Sequence, residues 1–263
     1  MRIPYYEVDA FTNRTFSGNP AGVCVLKEWL PDAMLQNIAA ENGLSETAFL
    51  TRKDDFFELR WFTPVVEVDL CGHATLASAF VLFSELGHHG ERVQFQTRSG
   101  RLTASRRGGG VELDFPSRPP APCSCPQELA DGLHSQPQAV LKSRDYMAVY
   151  ESEAAVAALA PDMGLLARLA CLGVIVTAPG KEAGFVSRFF APRVGVPEDP
   201  VTGSAHCSLI PYWAKRLGKT ELFARQLSRR GGELHCRDAG ERVIIGGEAV
   251  IYCKGEVEVR VEG

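Results

Sequence analysis

Apolar residues run almost unbroken from Ala74 to Phe83, inside the segment Glu67–Gly87 (EVDLCGHATLASAFVLFSELG). A helix that is apolar on every side is buried rather than laid on a surface. Asp69, Cys71, Gly72 and His73 lead into it as a turn would, and Gly87 offers a left-handed stop. The same plan returns 131 positions later in Glu198–Gly218 (EDPVTGSAHCSLIPYWAKRLG). Cys71-Gly72-His73-Ala74 falls on Thr202-Gly203-Ser204-Ala205, and Leu86-Gly87 on Leu217-Gly218. The pattern predicts two buried central helices, at about 72–86 and about 203–217. Pro211 lies inside the second and predicts a kink there, since an interior proline costs about 3 kcal/mol.

Around these helices the periodicity is mostly that of strands. In the first half strands are expected over 3–10, 21–26, 45–51, 57–62, 93–96, 101–105 and 111–115, with a helix opening at Asp32 and ending at Asn42-Gly43. The second half retells the first. Ala160-Pro161-Asp162 opens a helix (MGLLARLA) as Leu30-Pro31-Asp32 does, Leu172–Pro179 stands where Leu44–Thr51 stood, and Arg188-Phe189-Phe190-Ala191-Pro192 repeats Arg60-Trp61-Phe62-Thr63-Pro64. Arg230–Leu234 echoes Arg98–Leu102, and strands are expected at 147–150, 243–245, 249–252 and 256–261. Offsets that drift only from 128 to 132 point to an internal duplication. Ser117–Pro126, with four prolines in ten residues, reads as the linker. The expected organisation is therefore α+β, with repeats at 1–117 and 118–263 related by a pseudo-two-fold axis and each a curved antiparallel or mixed sheet around one helix; the last strand could cross to the first domain.

Composition changes this picture little. The chain has 263 residues, 45% of them apolar and 23% charged, as in an ordinary soluble protein. A net charge of −4 argues against a partner bound by neutralising nucleic-acid phosphates. Neither a signal-peptide core nor an apolar run of membrane-spanning length is found, so a cytoplasmic protein without a membrane partner is expected. The eight cysteines are scattered and read as thiols; Cys123-Ser-Cys125 lacks zinc-site spacing, and no metal is expected.

A duplication is its own control, because scaffold positions should match between the repeats while chemistry concentrates where they differ. Glu46 aligns locally with Val174, an acid against a strand hydrophobe. A carboxylate in partly dry surroundings is a candidate general acid/base. The helix N-termini differ as well: Cys71-Gly72-His73 in one repeat, Asp199-Pro200-Val201-Thr202-Gly203-Ser204 in the other. Glycine in both leaves backbone N–H groups bare where the helix dipole favours carboxylates or phosphates. If the symmetry turns both ends to one cleft, they form an anion site. Each residue also has a plain structural reading, as solvated acid, core histidine, turn aspartate or capping serine. Their placement at matching points favours chemistry.

At these residues the sequence resembles the PhzF-like phenazine-biosynthesis isomerases. The resemblance runs through SGNPAGV (17–23), LSETAF (44–49), RWFTP with EVDLCGHATLA (60–77), RFFAP (188–192) and EDPVTGSAH (198–206), nearly the whole chain. It implies the diaminopimelate-epimerase-like fold, a homodimer, no metal or organic cofactor, and an isomerisation that moves a proton within a small carboxylated substrate. By motif, Glu46 would be the proton-shuttling acid/base. His73, Asp199 and Ser204 would assist, and Gly72, Cys71, Thr202 and Gly203 would bind substrate. Related racemases and epimerases use two cysteines; Cys71 looks like the first, and Thr202 stands where the second belongs. Two alternatives remain at this stage: a cofactor-independent racemase or epimerase using Cys71, and a non-catalytic binding protein that keeps the fold.

Overall fold

The computed structural model describes residues 1–260, which fall into two compact units: Met1–Asp114 with the chain from Gly246 onward, and Phe115–Ile245. The chain leaves the first unit within one strand, Gly110–Pro116, and returns within another, Arg242–Gly247. No helix of the described residues is long and apolar enough to cross a membrane.

The first unit runs β1 (Arg2–Ala10), β2 (Asn19–Leu26), α1 (Asp32–Asn42), β3 (Glu46–Arg52), β4 (Phe57–Phe62), β5 (Glu67–Val68), α2 (Gly72–Ser84), β6 (Arg92–Thr97), β7 (Gly100–Arg107) and β8 (Gly110–Pro116). β2 pairs parallel with β3, β3 antiparallel with β4, β4 parallel with β6, and β6 antiparallel with β7. Helix α2 lies against β1, β2, β3 and β7, whereas α1 packs on β3 and β4. Covered on both faces, β3 is buried from Thr47 to Thr51 without alternation. Phe49 joins Leu35, Ile38 and Ala39 on the α1 side. The expected helix is therefore present, and its apolar circumference is buried almost throughout.

The second unit contains β9 (Ala121–Pro122), α3 (Gln127–Leu133), β10 (Ala139–Lys142), β11 (Tyr146–Val149), α4 (Glu153–Ala157), α5 (Met163–Leu166), β12 (Val174–Pro179), β13 (Phe185–Phe190), α6 (Gly203–Leu217), β14 (Glu221–Gln226), β15 (Gly232–Ala239) and β16 (Arg242–Gly247). Its ladders repeat those of the first: β11 is parallel to β12, β12 antiparallel to β13, β13 parallel to β14 and β14 antiparallel to β15. The last strand, β17 (Ala249–Glu258), pairs with β1.

Three expectations need correction. The helix opening at Asp162 lasts only Met163–Leu166. Gly164 lowers its propensity, and the neighbouring α4 shares the task of covering β12 and β13. The proline-rich segment 117–126 is docked rather than loose: β9 pairs with β10, and Cys123 N–H donates to Val140 C=O at 3.0 Å. Strands expected at 249–252 and 256–261 are one, because Gly255 keeps its place opposite Tyr5 in the β1–β17 ladder; Val261 lies outside the described residues. As expected, α6 continues through Pro211. A proline there leaves the carbonyl of Cys207 without its helical donor. Arg118 N–H supplies the replacement at 2.9 Å.

Candidate active site

The two repeats present their central helices with the same devices. Arg60 on β4 holds Glu67 bidentately at 2.8 and 2.7 Å, and Arg188 on β13 holds Glu198 at 2.7 and 3.1 Å. Such forks fix geometry as well as charge. Ser99 Oγ donates to Asp69 C=O at 2.7 Å, and Ser228 Oγ to Pro200 C=O at 2.7 Å. One turn into each helix, a side chain donates back to the residue before the helix: Thr75 Oγ1 to Cys71 C=O at 2.5 Å, His206 Nδ1 to Thr202 C=O at 2.8 Å. These bonds turn the preceding carbonyls back into the protein. Neither Cys71 nor Thr202 caps its helix with its side chain. Both N-termini, at Gly72 and Gly203, are built alike, with the dipole's positive end not closed by a capping side chain.

What surrounds each N-terminus differs. In the first unit the buried His73 places Nε2 3.2 Å from Glu46 Oε2. Its Nδ1 lies 3.2 Å from the amide nitrogen of buried Asn19 and 3.5 Å from Cys71 Sγ. Asn19 opens β2 and Glu46 opens β3, and the parallel register pairing Ala21 with Glu46 sets them side by side. Because the Asn19 amide nitrogen donates, Nδ1 accepts, and a neutral imidazole then carries its proton on Nε2, the ring nitrogen nearer Glu46. Burial pushes the His73 pKa down to about 3, so the ring is neutral near pH 7 and its contact with Glu46 is not an ion pair there. Glu46 keeps 19% of its side chain exposed, enough to meet a ligand.

Among the described residues, Glu46, Cys71 and His73 alone bring three candidate metal donors within 4.8 Å of one another. An ion bonds at about 2.0–2.3 Å to one ring nitrogen only. Here the thiol faces Nδ1 and the carboxylate lies by Nε2, so the three donors do not converge on one ring nitrogen as a chelate requires.

The ladders also correct the alignment of Glu46. Thr47 pairs with Phe62, and Val174 with Phe190. Since Arg60–Phe62 matches Arg188–Phe190, Thr47 answers to Val174, and Glu46 to Gly173. The hairpin between β12 and β13 is one residue longer than that between β3 and β4, which sequence matching alone absorbed in the wrong place.

In the second unit, Thr202 Oγ1 donates to Asp199 Oδ2 at 2.5 Å. The buried Gln226, last residue of β14, accepts from Thr202 N–H at 2.9 Å and donates to Asp199 C=O at 2.8 Å and Thr202 Oγ1 at 3.2 Å. Ser204 Oγ accepts from Arg144 Nη2 at 3.0 Å, and the same guanidinium is held from behind by buried Asp145 at 3.0 and 3.2 Å. Burial drives the His206 pKa down to about 4, against the raising effect of its bond to the Thr202 carbonyl. A neutral His206 is thus a donor through Nδ1, part of the support for the helix.

The structure thus joins Glu46, His73 and Cys71 in one unit, and Asp199 with Thr202 in the other, where Ser204 faces Arg144 instead. Sequence reasoning missed Asn19, Arg144, His206 and Gln226 as parts of these groups. Gln226 had a signal: strand alternation puts it on the buried side with Leu222 and Ala224. A polar residue on such a face needs partners.

Comparisons with known proteins agree with one another. The family profile described as phenazine biosynthesis-like protein matches residues 8–255. An uncharacterized isomerase of Pseudomonas aeruginosa is 52% identical over 259 residues, covering 98% of this chain and 100% of the relative. A crystal structure of a phenazine biosynthesis protein of the PhzF family from Enterococcus faecalis superposes with a TM-score of 0.97 at 48% identity, covering 98% of this chain and 100% of that one. A hydroxyproline epimerase from Agrobacterium vitis shares the fold at a TM-score of 0.61 and 11% identity, over 97% of this chain and 92% of that one.

Proposed function

The chain belongs to the PhzC/PhzF phenazine biosynthesis-like family, and on that premise we propose that this small-molecule isomerase moves a proton within a carboxylated metabolite, with Glu46 as the acid/base. The observation that carries the reading is the buried, neutral His73 with its Nε2 3.2 Å from Glu46 Oε2. A neutral imidazole at that distance does not neutralise the carboxylate by salt formation, which leaves Glu46 available as a base. One carboxylate takes a proton from a substrate carbon and returns it to another position on the same face, leaving the enzyme unchanged after each turnover. His73 holds Glu46 in place for both transfers, while Asp199 and Ser204 assist in binding and proton movement. The N–H groups at Gly72 and Gly203, beside Cys71 and Thr202, suit a substrate carboxylate because each lies at the positive end of a helix.

A two-thiol racemase reading lacks its second thiol: Thr202 is the counterpart of Cys71 in the other repeat, and its hydroxyl is bonded to Asp199. The test is a scan of small carboxylic acids incubated in D₂O with wild type and Glu46→Gln. The proposal expects one compound to take up deuterium at carbon with wild type and not with the variant. Equal uptake with both proteins would remove Glu46 from the reaction.

A further inference from the structure

Gln226 has no assigned role, although it is 1% exposed and its side chain makes three hydrogen bonds, all to Asp199 and Thr202. Its orientation is unambiguous. The Thr202 backbone N–H can only donate, so the atom 2.9 Å away is the amide oxygen; the Asp199 carbonyl can only accept, so the atom 2.8 Å away is the amide nitrogen. The second hydrogen of that nitrogen meets Thr202 Oγ1 at 3.2 Å. The hydroxyl must therefore accept from Gln226, and its own hydrogen is directed to Asp199 Oδ2, 2.5 Å away.

The first repeat offers a contrast. The β6 and β14 ladders set Thr97 where Gln226 stands, and Thr97 spends its hydroxyl locally on Gly100 C=O at 2.8 Å. In that repeat Val68 occupies the place of Asp199, so there is no carboxylate to hold. The glutamine accompanies the acid.

We propose that Gln226 is a positioning residue that sets the direction of the Thr202 hydroxyl and thereby holds Asp199 as an oriented anion for the reaction. This rests on the reading in which Asp199 serves the substrate. Gln226→Glu is the informative variant: it keeps the size and the acceptor for Thr202 N–H but replaces the donor to Oγ1 with another acceptor. The Thr202 hydroxyl then has two carboxylates to choose between, and Asp199 loses its sole claim on it.

The experiment has two arms. On a compound found by the deuterium scan, Gln226→Glu lowers kcat by about tenfold or more while KM changes little. Thr202→Val gives a loss of the same size, Thr202→Ser restores the rate, and the double variant is no worse than either single one because both act through one chain. Losses that multiply, or a Gln226→Glu enzyme as fast as wild type, would overturn the proposal. The second arm needs no substrate: the carboxyl-carbon NMR signal of Asp199, assigned with Asp199→Asn, titrates at higher pH in Gln226→Glu than in wild type. An unmoved titration in a folded variant overturns the hydrogen-bond chain itself. Absence of any turnover by wild type would count against the isomerase reading and leave this second result to decide Gln226.

Discussion

Gly173 stands in the second repeat where Glu46 stands in the first, and the ring of Phe189 fills the space a side chain there would need. A Cβ on Gly173 would lie 2.3 Å from Phe189 Cζ. The duplication has therefore kept its frame and made one of the two positions structural. Phe189 is buried and paired within the β12–β13 ladder, so it cannot easily withdraw.

Gly173→Ala should accordingly destabilise the protein by about 1–3 kcal/mol, the usual cost of overpacking a close-packed interior. Glu46→Gln, at the matching place in the first repeat, should stay within about 0.5 kcal/mol of wild type, as partly exposed substitutions do. Urea denaturation of both variants checks the pair. Equal stability of Gly173→Ala and wild type would show that Phe189 gives way.

Acid should weaken the fold through His73. Its pKa is about 3 when folded against 6.5 for an unperturbed histidine, so on lowering the pH the unfolded chain takes up the proton first. The neutral ring costs nothing above pH 6.5, and stability falls progressively from there towards pH 3. His206, at about 4, acts in the same direction. The drop in urea midpoint between pH 7 and pH 5 should be smaller in His73→Gln than in wild type; an identical drop would mean that burial does not hold the imidazole neutral.

Pro211→Ala should change stability by less than about 1 kcal/mol, well short of the roughly 3 kcal/mol expected for relieving an interior helix proline. The carbonyl that proline leaves unserved already accepts from Arg118 N–H. Thermal unfolding of the variant tests this. A large gain would show that the helix is strained at Pro211.

Cys71→Ala should retain deuterium incorporation within about tenfold of wild type, because the thiol touches the back of the imidazole, at Nδ1, and the carboxylate faces Nε2. Loss as complete as in Glu46→Gln would favour a thiol acid/base and revive the racemase reading.

Much of this molecule is legible along the chain. The buried helices follow from runs of apolar residues with no polar stripe, and the duplication follows from motifs recurring in one order. Glu46, His73 and Asp199 could be picked out because the repeats disagree there. Gly173 could not be recognised as the partner of Glu46, since a one-residue difference in loop length is invisible until strand register is known. The support of Pro211 by Arg118 joins residues 93 positions apart, and no local pattern reports it.

By itself the sequence determined what short-range periodicity and glycine or proline stereochemistry dictate: strands, central helices, their stops and the repeat. Tertiary structure decided which way the polar atoms face. Asn19 sets the proton on His73, and Gln226 sets the hydrogen of Thr202, because strand pairing brings them there from 54 and 24 residues away. Hydrogen-bond direction depends on distances and angles across such pairings, and a linear order of residues contains neither. The helix that begins at Gly72 is readable at once; which groups surround its first turn is decided by the strands laid beside it.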